Sequence, residues 1–184
     1  MTRKLKKMGK KEFVKLLHWR VARTSVGAST ARGMPKKTVE KARKYLESLS
    51  LEKFGRCHTV ASFHSLLGKT TVGLQRKLPN HSWGAARKFL NIFLRGIVYH
   101  RFLCKGYRLH HIEPWLEVPL DSYVAKGLKK DQKLLDKSGP VLKWSGVTDL
   151  EELVSQDYQN VATEVAKHVG IHRIHLDLKY WVDR

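Results

Sequence analysis

Apolar residues recur at helical spacing through most of the chain. Phe13, Leu16, Leu17 and Val21 stand three or four residues apart and predict a basic amphipathic helix over Lys10–Val21. The small, polar, glycine-bearing run Thr24–Gly33 reads as a loop. Pro35 stands where a first helical turn tolerates proline, and Val39, Ala42, Tyr45, Leu46 and Leu49 make a second stripe. His58 or Thr59 starts a third helix carrying Val60, Phe63, Leu66 and Leu67, with Gly68 as its stop. Lys69–Lys77 leaves room for a further short helix before Leu78-Pro79.

Ser82 is placed to cap the longest helix. Its buried face is Trp83, Ala86, Phe89 or Leu90, Phe93, Leu94, Ile97 and Val98, with Gly106 beyond its end. Pro114 and Pro119 bracket a segment that no long helix can cross. Asp121 or Ser122 caps a helix through Val124, Ala125 and Leu128, and Ser138-Gly139-Pro140 is a turn. Thr148-Asp149-Leu150-Glu151 has the form of a capping box. It opens a helix bearing Leu150, Leu153, Val154, Val161, Ala162, Val165 and Val169, closed by Gly170. Ile171–Trp181 fits helix or strand. Six to nine helices and little strand predict an all-α fold. The 184 residues suit a single compact helical domain over 12–184, with two lobes meeting near 104–120 as a variant. A flexible, lysine-rich arm over 1–11 precedes it.

Charge changes this picture from a generic helical domain to one with a polyanionic partner. The chain has 36 Lys and Arg against 16 Asp and Glu, a formal +20. Met1–His110 holds 26 basic and 4 acidic residues, whereas His111–Arg184 holds 10 and 12. So segregated an excess is an electrostatic footprint for nucleic acid, and counterion release makes such binding salt-dependent. Arg20, Arg23, Arg32, Lys36, Lys37, Arg43 and Lys44 are the phosphate contacts expected from local density, joined by Arg87 and Lys126. No apolar run is long enough to span a bilayer, and no apolar stretch follows the basic N-terminus as in a secretory signal. A lipid surface, bound by the Lys10–Val21 helix, is the rival polyanion. Cys57 and Cys104 are too few for a cysteine metal cluster or a disulfide framework. They suit a reducing compartment: cytoplasm, nucleoid or nucleus. A monomer without a cofactor is expected.

Two stretches carry candidate chemistry: Leu78–Gly96, reading LPNHSWGAARKFLNIFLRG, and Leu116–Leu128, reading LEVPLDSYVAKGL. Together they resemble the signature region of the helix–hairpin–helix DNA glycosylases of base-excision repair. Leu78-Pro79 matches the family's turn, Lys88 its catalytic lysine, Asn91 its asparagine, Asp121 its catalytic aspartate, and Lys126 a nearby basic position. The pattern departs in four respects. Asn80-His81-Ser82-Trp83 separates the proline from Gly84, the Lys88–Asp121 spacer is long, Tyr123 replaces a histidine, and no four-cysteine cluster is present.

The resemblance implies an enzyme that binds duplex DNA rather than RNA, flips a modified base and cleaves its N-glycosidic bond. A lysine amine can attack the sugar and form a Schiff base, which adds a lyase step. A carboxylate can serve as base and stabilise the cationic transition state. Trp83, Trp115 and Trp144 are the base-stacking candidates. Two alternatives stay open. One is a non-enzymatic DNA- or RNA-binding protein in which Lys88 touches phosphate and Asp121 is only a cap. The other is a metal-dependent nuclease using His110-His111-x-Glu113 or His172-x-x-His175-x-Asp177.

Overall fold

A computed structural model describes residues 7–135 and 141–182 of the chain. The described residues are helical, with no strand among them. In order they form α1 (Lys10–Ser25), α2 (Thr38–Glu47), α3 (Leu51–Gly55), α4 (Val60–Gln75), α5 (Trp83–Tyr99) and α6 (Arg101–Gly106). A 3₁₀ turn at His110–Trp115 leads into α7 (Ser122–Leu134) and α8 (Glu152–Val169). A second 3₁₀ turn at Arg173–His175 runs into α9 (Leu176–Val182). The Ser138-Gly139-Pro140 turn lies outside the described residues, as does most of the N-terminal arm; Lys10 and Lys11 already belong to α1.

Helix α5 is the axis. Eleven of its seventeen residues are buried, and α1, α2, α4, α6 and α8 all pack on it. A helix so apolar must be surrounded rather than laid on a surface. Ser82 caps it, accepting from the Ala85 amide, and the Ser82 hydroxyl donates to the Thr148 carbonyl. Gly84 is required there: a Cβ would meet the Val147 carbonyl and come within 2.6 Å of the Leu150 Cβ. The start of α5 is therefore sealed by residues 147–150. That use of Thr148 corrects the expected capping box, because α8 begins at Glu152, after Glu151, with no side-chain cap.

Three other boundaries differ from the sequence pattern. Gly68 does not stop α4, which runs on to Gln75 because Thr70, Thr71 and Leu74 are buried beyond it. The burial outweighs a mid-helix glycine cost of about 1 kcal/mol. α3 has no stripe long enough to read in sequence; Leu51 and Phe54 are its buried residues. In the tail, Arg173–His175 and Leu176–Val182 are helical, with Ile174, Leu176 and Tyr180 turned inward. Thr59, Asp121 and Gly170 take the capping roles their types suggest, Gly170 with a φ of 77°.

Buried apolar side chains form two clusters. The first runs from Leu17 to Leu116 and takes in Ile174; the second runs from Val118 to Tyr180. They divide across one extended segment, and Glu117, the residue between Leu116 and Val118, is charged and 3% exposed.

Candidate nucleic-acid interface

The expected phosphate contacts can now be placed. Arg23, Lys37, Arg43 and Lys44 line one hollow between α1 and α2, together with Val39, Glu40 and Glu47. Arg23 is held to Glu47 at 2.8 Å, and the Arg43 Nε donates to the Val26 carbonyl at 2.7 Å. Lys37 adopts a left-handed backbone, φ 68°, just before α2. Arg20 lies over the far side of α1, in a groove lined by Val21, Thr24, Arg95, Gly96 and His100. Arg32 and Lys36 are exposed in the turns between α1 and α2. Lys126 is exposed on α7, at the second cluster.

Arg87 is different. It is buried, its Nε 3.0 Å from the Glu117 carboxylate and its Nη1 donating to Thr71 at 2.7 Å. That commitment takes it away from any phosphate, which corrects its expected role. Asn91, one turn on, donates to the same Glu117 oxygen at 3.1 Å. His64 Nδ1 stands 4.0 Å from the other oxygen. Burial lowers the His64 pKa; Glu117 pulls it up, and Arg173 and Arg87 push it down. From the opposite side, Arg173 donates to the Leu116 and Trp115 carbonyls. Gln159 pairs with both the N–H and the C=O of Val118. Arg87 and Asn91 thus converge on Glu117, while Arg173 and Gln159 hold the backbone on either side of it. Its signal in the sequence is thin: an isolated glutamate between two apolar residues.

Lys88 is half-buried on α5, its amine 3.5 Å from the Thr30 carbonyl in the loop after α1. The Asp121 carboxylate caps α7, its Oδ1 accepting from the Tyr123 and Val124 amides at 3.0 Å. Asp121 also acts electrostatically on Arg95, which follows Lys88 by two turns of α5, about 10 Å along the helix.

The three stacking candidates are half-buried packing groups. Trp83 lies under the Arg87 guanidinium at 5.0 Å, Trp115 packs on Phe63 and His111, and Trp144 meets the edge of Tyr158. Trp19 and Trp181 are the exposed tryptophans, at 45% and 59%. Trp19 rises from α1 beside Arg20, with the Arg23 guanidinium 4.7 Å over its ring. The sequence did carry a signal for it, since Trp19 lies off the Leu17–Val21 stripe on a basic helix.

The two histidine motifs come together, but not as ligands. Glu113 of the first meets His175 of the second at 3.0 Å, and the His175 Nδ1 accepts from the Tyr99 hydroxyl at 2.7 Å. His111 donates to the Cys57 carbonyl, His110 lies 3.3 Å from the Cys104 sulfur, and Asp177 pairs with Arg95. Among the described residues no three His, Cys, Asp or Glu side chains are grouped to hold a metal ion. No helix among them is long and apolar enough to cross a membrane. The chain matches no family model, no curated protein and no solved structure.

Proposed function

We propose that this chain binds nucleic acid through the face formed by α1 and α2. The observation that carries the reading is the hollow that gathers Arg23, Lys37, Arg43 and Lys44 from two helices and the turn before α2. Cations set around a concavity hold a phosphate backbone without reading its sequence. The lobe as a whole supports this, because four carboxylates cannot neutralise the 26 basic residues of Met1–His110.

The test is binding of a labelled oligonucleotide across a salt series. Affinity should fall steeply with salt. Reversing Lys37 and Lys44 together (K37E/K44E) should weaken binding about tenfold and lower the salt slope by roughly one unit per lost contact. The same change at Lys129 and Lys130 on α7 should leave both nearly unchanged. Affinity indifferent to salt, or equal effects from both pairs, sinks the proposal.

Base excision is a second proposal. It is supported by the arrangement of Lys88 on the helix after the Leu78-Pro79 turn and Asp121 at the start of the next long helix. In that reading Asp121 supplies the carboxylate, whose Oδ1 also accepts from the Tyr123 and Val124 amides. The sealed start of α5 leaves the turn's amides little room for a phosphate, so the grip would come from α1 and α2. Borohydride trapping on damaged duplex, abolished by Lys88→Gln, supports lyase chemistry. No trapping and no base release across a lesion panel removes the enzyme reading while leaving the binding reading intact.

A further inference from the structure

Phosphate binding alone does not use Trp19. An indole at 45% exposure leaves a large flat apolar face in water, and here it is set beside a hollow lined by four cations. Its position is not casual. Arg23, one turn further along α1, lies over the ring, and Glu47 on α2 anchors Arg23. The ring is thereby fixed beside the hollow that holds Lys37, Arg43 and Lys44. The hollow also contains Glu40 and Glu47; Glu47 is neutralised by Arg23, which leaves three cations against Glu40.

Arg23 both lines the hollow and lies over the Trp19 ring, so a backbone held on those cations would have its bases within reach of the indole. In a duplex the base faces are covered by their neighbours, so an aromatic ring standing on a helix surface cannot reach them. An unpaired base offers its face, and aromatic stacking beside a basic track is how sequence-tolerant single-strand binding is built. We infer that the α1–α2 face binds single-stranded nucleic acid, with Trp19 stacking an unpaired base. This rests on the nucleic-acid reading above and replaces its expected duplex preference for this face. Phe13 and Leu16, also exposed on α1, make an anionic lipid surface the alternative occupant.

The experiment uses the full chain. Fluorescence anisotropy at one moderate salt concentration compares a single strand of about twenty nucleotides, as DNA and as RNA, with the duplex of the same sequence. Vesicles containing phosphatidylserine form the fourth arm. The single strand should bind more tightly than the duplex. Trp19→Ala should weaken single-strand binding about tenfold, leave duplex binding within twofold, and leave the melting temperature unchanged; Trp19→Phe should restore most of the loss. Equal binding of strand and duplex, or a Trp19→Ala variant unaltered on single strands, overturns the inference. So does vesicle binding that depends on Trp19 while oligonucleotide binding does not. If no oligonucleotide binds and K37E/K44E changes nothing, the nucleic-acid reading itself has failed. Loss with K37E/K44E but not with Trp19→Ala fails the single-strand inference alone.

Discussion

Residues up to Leu116 and residues from Val118 onward build comparable helical cores but treat charge in opposite ways. In the second lobe, lysines meet carboxylates nearby: Lys179 binds Asp131, which also accepts from Tyr180, and Lys167 binds Glu164. The first lobe has too few carboxylates for that. Two of its covered arginines borrow partners from beyond Leu116: Arg87 takes Glu117, and Arg95 takes Asp177. The difference teaches where the excess goes. Covered arginines of the first lobe are paired across the seam, and its remaining cations, those around the α1–α2 hollow among them, have few carboxylates in their own lobe to answer them.

Breaking the seam should give the largest effect. Glu117→Ala leaves Arg87 charged and buried, and removing one partner of such a pair costs about 3–5 kcal/mol. The urea midpoint should fall sharply, and the unfolding curve should lose coincidence between probes of the two lobes. A midpoint within experimental error of the wild type would show that the lobes are not coupled through Glu117.

Gly84→Ala tests the second point of contact, where α5 meets residues 147–150. A Cβ there collides with the Val147 carbonyl and Leu150, so an overpacking loss of about 1–3 kcal/mol is expected. Gly68→Ala is the control. Its Cβ meets nothing within 4 Å in mid-helix, and it should stabilise by about 0.5–1 kcal/mol.

Lys37→Gly separates charge from stability within the basic lobe. Relief of the left-handed backbone should raise the melting temperature, by the equivalent of up to about 1 kcal/mol, while oligonucleotide affinity falls. If affinity and stability move together, Lys37 acts through the shape of the turn and not through its charge.

The smallest effect concerns pH. Burial lowers the His64 pKa, so the folded state resists a proton that the unfolded chain accepts near pH 6.5. His64 therefore favours the fold fully above that pH, and the contribution is lost as pH falls below it. His64→Gln should flatten the difference in melting temperature between about pH 7 and pH 5. An unchanged slope would show that burial does not keep the His64 imidazole neutral in the fold.

How much was readable in advance follows from how local each cause is. Ser82, Thr59, Asp121 and Gly170 act on amides and carbonyls one to three residues away, and each was legible from its type and place. Thr148 was misread because its carbonyl serves Ser82, 66 residues away. The histidine motifs looked like two metal sites, yet their members pair across the chain, Glu113 with His175 and Asp177 with Arg95.

The sequence by itself determined the helical class and the segregation of charge, because side-chain periodicity and the order of Lys and Arg are written along the chain. Tertiary structure alone decided which cations and which rings face outward. Arg87 and Arg23 are both arginines on basic helices, and Trp83 and Trp19 are both helical tryptophans. Only packing places the first of each pair against the interior and the second at the surface. The hollow is likewise tertiary, since Arg23 and Lys44 meet there only because α1 lies against α2.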